Sequence, residues 1–232
     1  MDPFHRTVTT RAGGVSAPPF DSRNLGFGVP DDPEAVRENR SRLQTELGVS
    51  GIAWMHQVHG TAVATVEDEP GAAIPDTDAM VTGTPGLALA VLVADCVPVL
   101  AGDVAGAVVG AAHAGRRGAA GGIALRLIEA MGVPPERLDV LLGPAICGAC
   151  YEVPPPMQAE VEALLPGSAC ATRDGTTGLD LRAGLAAQLR AAGVGRVSVD
   201  PRCTRQDENL FSHRRSALTG RQAGLIWLPG PR

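Results

Sequence analysis

The chain contains no lysine, so all 20 of its Lys/Arg cations are arginine. That excludes Schiff-base chemistry and any phosphate-binding lysine of the Walker type. Aromatic residues make up only 3% of the 232 positions, which leaves few platforms on which single-stranded nucleic-acid bases could stack. There is no basic block to follow a phosphate backbone, and the formal charge is −5. No nucleic-acid partner is expected. Long apolar runs are also missing. The greasiest stretch, residues 87–101, is cut by Asp95 and Pro98 and is too short to span a bilayer. Residues 1–14 carry charge and threonine without the apolar segment of a secretory signal. Neither a membrane partner nor export is expected. Five cysteines is an odd count without the spacing of a disulfide framework, so a reducing, cytoplasmic location is expected.

What is present suits a globular core. Hydrophobic residues reach 44%, and 29 glycines with 19 prolines predict many turns. The length fits a single domain over residues 1–232. Residues 11–33, rich in Gly, Pro, Asp and Asn, read as a long ordered loop, and such loops are usually functional. A helix follows, with Asp32 as N-cap, Pro33 in the first position, Gly48 past the end, and Val36, Leu43 and Leu47 on its buried side. Strands are expected over 52–58, 61–67, 79–82, 87–94, 97–101 and 106–113. Shorter ones are expected near Val140, Val197 and 225–228. Further helices are expected over 118–131, burying Ile123 and Leu127, over 157–165, and from Asp180, where Leu181, Leu185 and Leu189 stack. Strands come in runs rather than in alternation with helices. The fold class is therefore α+β: a layered sandwich of mixed β-sheet with flanking helices.

Asp103-Val-Ala-Gly106 has the preferred ends of a tight turn. Seven residues back from Asp103 lies Cys96, and seven on from Gly106 lies His113. A hairpin about this turn would set the thiol and the imidazole opposite each other, with Cβ atoms roughly 4.5–5.5 Å apart. An isolated Cys beside a hydrogen-bonded His is more often core packing than chemistry. Here, however, His113 runs into Ala-Gly-Arg-Arg-Gly, and Cys96 opens a strand after Asp95. Strand ends beside glycine-rich loops are where sites are built. In His56-Gln-Val-His59-Gly60 the two histidines would face opposite ways in a strand, and His59 stands at the strand end. His59, Cys96 and His113 would give a Cys/His₂ ligand set with one position open, as in a catalytic zinc site. Asp95 would face away from Cys96 and act behind it at most.

Other motifs say less. Gly110-Ala-Ala-His-Ala-Gly115 is followed by Arg116-Arg117 in place of the Lys-Ser/Thr of a P-loop, although a glycine-rich helix start with an arginine can hold an anion. Cys147-Gly-Ala-Cys150 is a lone C-x-x-C read as structural, and Cys170 and Cys203 complete no second metal pattern. Phe211-Ser-His-Arg-Arg215 reads as a charged surface segment more than as pocket wall.

An ordered series of motifs runs along the chain: Thr10-Arg-Ala-Gly-Gly-Val-Ser16, Asn24-Leu-Gly26, Gln57-Val-His-Gly60, Asp78-Ala-Met-Val-Thr82, Ala94-Asp-Cys-Val-Pro98 and Ala112-His-Ala-Gly115. It continues with Gly143-Pro-Ala-Ile146, Cys150-Tyr-Glu-Val153, Cys203-Thr204, Phe211-Ser-His-Arg-Arg215 and Thr219-Gly-Arg221. The series resembles the laccase-domain family, called multicopper polyphenol oxidase-like, purine nucleoside phosphorylase and, in bacteria, peptidoglycan editing factor. The resemblance carries the family's metal ligands onto His59, Cys96 and His113. Arg116 stands where the family usually has Trp. A fold similar to the catalytic domain of cytotoxic necrotizing factor toxins is implied. So is a cytoplasmic zinc enzyme that splits adenosine and related purine nucleosides with phosphate, with adenosine deamination as a second activity. Asn24, Arg117 and His213 are the expected substrate-binding residues. Two other readings stand beside this one. One is a metal-free hydrolase, with Cys96 as nucleophile and His113 as base, acting on a peptidoglycan-precursor amide. The other is a copper-binding polyphenol oxidase. Copper competes well for such ligands in vitro, but five histidines do not supply a multicopper centre.

Overall fold

A computed structural model describes residues 3–230. Among the described residues, twelve strands form two principal sheets and a small ribbon. The first sheet has four strands in the order β1 (His5–Val8), β12 (Gln222–Trp227), β5 (Leu87–Val93), β2 (Gly51–Ala53). The second has six, in the order β11 (Arg196–Val199), β8 (Leu138–Leu142), β6 (Val97–Asp103), β7 (Val109–Ala114), β4 (Ala79–Thr82), β3 (Val63–Thr65). The ribbon pairs β9 (Ala169–Ala171) with β10 (Thr177–Leu179). Both principal sheets mix parallel and antiparallel pairs, as expected for an α+β sandwich.

Strand alternation sorts the side chains into layers. Leu89, Val91 and Ile226 of the four-stranded sheet meet Leu100, Val109 and Ala111 of the six-stranded sheet, so the two pack face to face. The opposite side of the six-stranded sheet, with Val97, Val99 and Ala112, is covered by α3 (Ile123–Ala130), α4 (Pro155–Leu164) and α5 (Leu181–Ala191). Ala88, Ala90 and Leu225 face α1 (Pro33–Leu47) on the outer side of the four-stranded sheet. The order is helix, sheet, sheet, helices. Each fully buried leucine in these layers contributes about 2 kcal/mol.

Local sequence accounts for the helix ends. The Asp32 side chain caps Glu34 N, and Gly48 closes α1 at φ 63°, a left-handed conformation that costs glycine little. Leu181, Leu185 and Leu189 are buried along α5, as their spacing predicts. The helix expected over 118–131 is instead two: α2 (Arg116–Ala120) and α3, broken at Gly121-Gly122, where Gly122 has φ 84°. Strands expected over 52–58, 61–67 and 106–113 shorten to β2, β3 and β7. The last strand starts earlier than expected, at Gln222.

The hairpin departs from its expected register. Gly106 N donates to Asp103 O at 2.8 Å, so the turn exists, but the ladder closes on Asp103 N to Val108 O at 3.0 Å. The Asp103 carboxylate accepts Ala105 N and Ala107 N and holds a longer loop. His113 consequently faces Pro98, and Ala114 faces Val97. Cys96, one residue before β6, is diagonal to His113 rather than opposite. Arg137 grips the buried Asp103 carboxylate at 3.0 and 2.5 Å. Arg137→Ala should lower stability by about 2 kcal/mol, the scale of a charge-assisted bond to a buried group, as read by urea unfolding.

Candidate metal and substrate site

The site forms at one end of the seam between the sheets. His113, on β7, points to the seam side that Ala111 also faces, and its ring is almost wholly buried. Cys96 follows Asp95, whose backbone is left-handed at φ 102°. The Asp95 carboxylate accepts Thr204 Oγ1 and Arg214 N, each at 2.6 Å, and is held in place there. His59 comes from the irregular segment after β2. Residues 54–60 form no continuous strand, so the argument from opposite strand faces does not apply, and His59 takes φ 60°. Donor atoms of His59, Cys96 and His113 lie within 4.8 Å of one another. The two imidazoles meet edge to face, 4.7 Å between centroids.

Two residues with no role in the sequence reading hold this arrangement. Asp78, at the entrance to β4, is fully buried. Its carboxylate accepts the backbone N–H groups of Val58, His59 and Gly60 at 3.1, 3.0 and 2.7 Å, and His113 Nδ1–H at 2.8 Å. One side chain thus fixes the strained backbone of His59 and the ring of His113. Gln57 clasps β5 by its amide, donating to Leu92 O and accepting Leu92 N at 2.8 Å each. It takes the place of strand pairing where β2 has already ended.

The electrostatics follow from these contacts. Burial is the largest single influence on both Asp78 and His113 and opposes their charge, but their mutual hydrogen bond and the other donors and charges around them together outweigh it. The backbone donors help bring Asp78 down to about 2, and Cys96 helps push His113 up to about 9. His59 moves the other way, lowered first by burial and then by the neighbouring His113.

The three donors suit zinc. Tetrahedral zinc with nitrogen and sulfur ligands needs donor separations of roughly 3.3–3.6 Å, a small contraction here. Asp78 takes Nδ1 of His113 and leaves Nε2 as the ligand atom, the usual carboxylate-histidine support. Gly115 provides the clearance, because a Cβ there would lie 2.3 Å from His59 Nδ1 and 3.2 Å from Cys96 Sγ. Gly115→Ala should displace His59 and weaken metal binding by about tenfold or more, measured by competition with a chromophoric chelator.

The trio borders a cavity of about 660 Å³, well within the range of small-molecule sites. Gly26, Phe27, Arg40, Met55 and Arg221 contribute to its wall. Arg40 stacks between Phe27 and Trp54, 4.6 and 3.8 Å from the ring centroids, and burial lowers its pKa to about 10. Arg221 donates to Thr219 O and Gly220 O, and its pKa is also lowered by burial. Both remain cationic at neutral pH. Sequence reading gave neither a role, since nothing in the sequence places residues 40 and 221 on one wall. His213 does line the cavity, with Nδ1 donating to Ala217 O at 2.9 Å. Its neighbours overturn the picture of a charged surface segment. Phe211 and Ser212 are buried, and Arg215 turns inward to the carbonyls of Thr204, Asp207 and Leu210. His56 borders the cavity as well, outside the trio.

Asn24 and Arg117 do not line the cavity. Asn24 is wholly buried and binds Gly26 N, Gly26 O, Asp31 and Arg221 N. It supports the loop that forms the wall. Arg117 is exposed and donates to Val58 O at 3.3 Å. The Cys203 reading also changes, because its sulfur joins those of Cys147 and Cys150.

Residues 5–229 match the family described as multi-copper polyphenol oxidoreductase laccase, and the chain belongs to that family. It is 54% identical to a protein of Mycobacterium tuberculosis named purine nucleoside phosphorylase, over 97% of this chain and 92% of that one. A protein of Corynebacterium glutamicum with the same name is 52% identical, over 99% and 98%. Among solved structures, a Neisseria meningitidis protein superposes with a TM-score of 0.92 at 41% identity, covering 98% of this chain and 95% of that one. A Geobacillus stearothermophilus protein gives 0.91 at 34%, covering 98% and 92%. No helix among the described residues is long and apolar enough to cross a membrane.

Proposed function

We propose that the chain is a zinc-dependent purine nucleoside phosphorylase that converts adenosine and phosphate to adenine and ribose 1-phosphate, with adenosine deamination as a second activity. The observation that carries this reading is the convergence of His59, Cys96 and His113 on a cavity that also presents Arg40 and Arg221. Relatives named purine nucleoside phosphorylase support it.

In phosphorolysis a phosphate oxygen attacks C1′ of the ribose while the bond to the purine nitrogen breaks. The nucleophile is a dianion, and the two guanidinium groups offer planar, multidentate donors to hold it. Burial in a water-poor wall strengthens that attraction. When bound, zinc supplies a Lewis acid beside the reacting atoms. Phe27 and Met55 give the purine apolar contact. His213, its Nδ1–H committed to Ala217 O, keeps Nε2 as an acceptor for an N–H or O–H of the substrate. Asp78 holds its proton partner at His113 Nδ1 and keeps Nε2 aimed at the site.

The test is chromatography of adenosine incubated with the metal-analysed protein, with and without phosphate. Adenine that appears only with phosphate, at near one zinc per chain, is the expected result. Inosine formed without phosphate shifts the main activity to deamination. Absence of metal and of any purine product overturns the reading.

One observation favours a second reading. The Cys96 sulfur lies within 4.8 Å of a ring nitrogen of His113, which is backed in turn by Asp78, an alignment a thiol hydrolase also needs. Turnover of an amide substrate that survives exhaustive chelation but is lost on alkylation of Cys96 would establish it. A multicopper oxidase gains no such support. Among the described residues, the two clusters of candidate ligands hold two histidines between them.

A further inference from the structure

Cys147, Cys150 and Cys203 bring their sulfurs within 4.8 Å of one another, although Cys203 lies far along the chain. The topology accounts for the meeting. β8 and β11 are parallel neighbours, with Leu142 paired to Val199, so the segments that leave them emerge at the same edge. A bridge between Ala145 and Cys203 then aligns the two segments. A 3-10 turn over Gly148–Cys150 folds Cys150 back over Cys147, with Cys150 N donating to Cys147 O at 2.9 Å.

We propose that these three cysteines form a second metal site, separate from the His59–Cys96–His113 centre, for a soft thiophilic cation, with cuprous copper its first occupant. Three thiolates around an ion with metal–sulfur bonds of about 2.3 Å sit roughly 4 Å apart when planar, inside the observed spread. Soft sulfur donors select cuprous copper and zinc over hard cations. No fourth Cys, His, Asp or Glu joins the cluster among the described residues. A three-sulfur set favours cuprous copper over structural zinc, which takes four ligands.

The donors around Cys150 and Cys203 suit sulfur held as an anion. Arg173 Nη2 donates to Cys150 Sγ at 2.9 Å, and Cys147 N donates to Cys203 Sγ at 3.3 Å. Arg205, bound to Cys150 O at 3.2 Å, adds a second positive charge nearby. Three thiolates and one monovalent cation carry a net charge of −2, which the two arginines balance. Cys150 and Cys203 are buried, while Cys147, only partly buried, leaves a way in. The remaining thiol on this side, Cys170, packs on Gly148 and stays outside the trio.

The test counts metal on the whole chain, purified under reducing conditions. Cuprous ion is delivered as its bicinchoninate complex, zinc is offered in a parallel arm, and retained equivalents are measured after desalting. Wild type should retain two equivalents of copper, and Cys96→Ser one. Cys203→Ser should also retain one, and Cys147→Ser, at the more exposed sulfur, gives the same count should Cys203→Ser fail to fold. A second equivalent of zinc but not copper, lost in the same variants, would keep the site and assign water as its fourth ligand. One equivalent of either ion in wild type, lost in Cys96→Ser and untouched in Cys147→Ser and Cys203→Ser, overturns the proposal. So does an intact-mass loss of two hydrogens that places a disulfide within the trio of freshly purified protein.

Discussion

His113→Ala should empty the proposed site of metal and lower adenosine turnover by more than about 100-fold, since removing only the group behind a ligand costs about 10–100-fold. His113 is the least exposed of the three donors, and its ring bridges the site to Asp78. No other imidazole occupies that position. His213→Ala is the matched comparison, because His213 lines the same cavity outside the trio. That variant should keep its zinc and show its defect in KM. Metal analysis and steady-state kinetics on the two variants settle the matter. Full turnover in His113→Ala would remove the proposed centre.

Asp78→Asn should be nearly as damaging, through a different route. The carboxylate accepts three backbone N–H groups and one imidazole N–H, two at each oxygen, and the amide puts an NH₂ where one oxygen accepts two of those bonds. Breaking a buried charged partnership costs about 3–5 kcal/mol, and the loosened His59 and His113 should reduce zinc affinity about 10–100-fold. The pH dependence of metal-free protein provides the check. Asp78 is depressed from 3.8 to about 2, so its contribution is present above pH 3.8 and is lost as pH falls toward 2. His113 is raised from 6.5 to about 9, so its contribution is present below pH 6.5 and is lost as pH rises through 9. The stability gap between wild type and Asp78→Asn should therefore be widest from about pH 4 to 6.5 and narrow on both sides. Urea titrations across pH 3–10 measure that gap, and one independent of pH would show that Asp78 and His113 do not act as a pair.

The α+β class, the capped ends of α1 and the buried face of α5 were legible because each rests on residues a few positions apart. The candidate trio His59, Cys96 and His113 was legible for another reason, since strand ends beside glycine-rich turns are recognisable locally. The hairpin shows where local reading stops. The turn at Asp103 forms as its residues predict, but two backbone N–H groups captured by the Asp103 carboxylate lengthen the loop and shift the register. Cys96 and His113 still meet because a diagonal neighbour in a sheet lies within reach of a side chain.

By itself, the sequence determined which chemistries are available to this protein: arginine as the anion-binding cation, one Cys/His₂ donor set, and too few histidines for a multicopper centre. Only the tertiary structure decided who stands behind and around that set. Asp78 under both histidines, Arg40 and Arg221 across the cavity, and Cys203 beside Cys147 and Cys150 are contacts between segments distant in the chain. Sheet order and loop length create them, and neither is written in the spacing of the residues that meet.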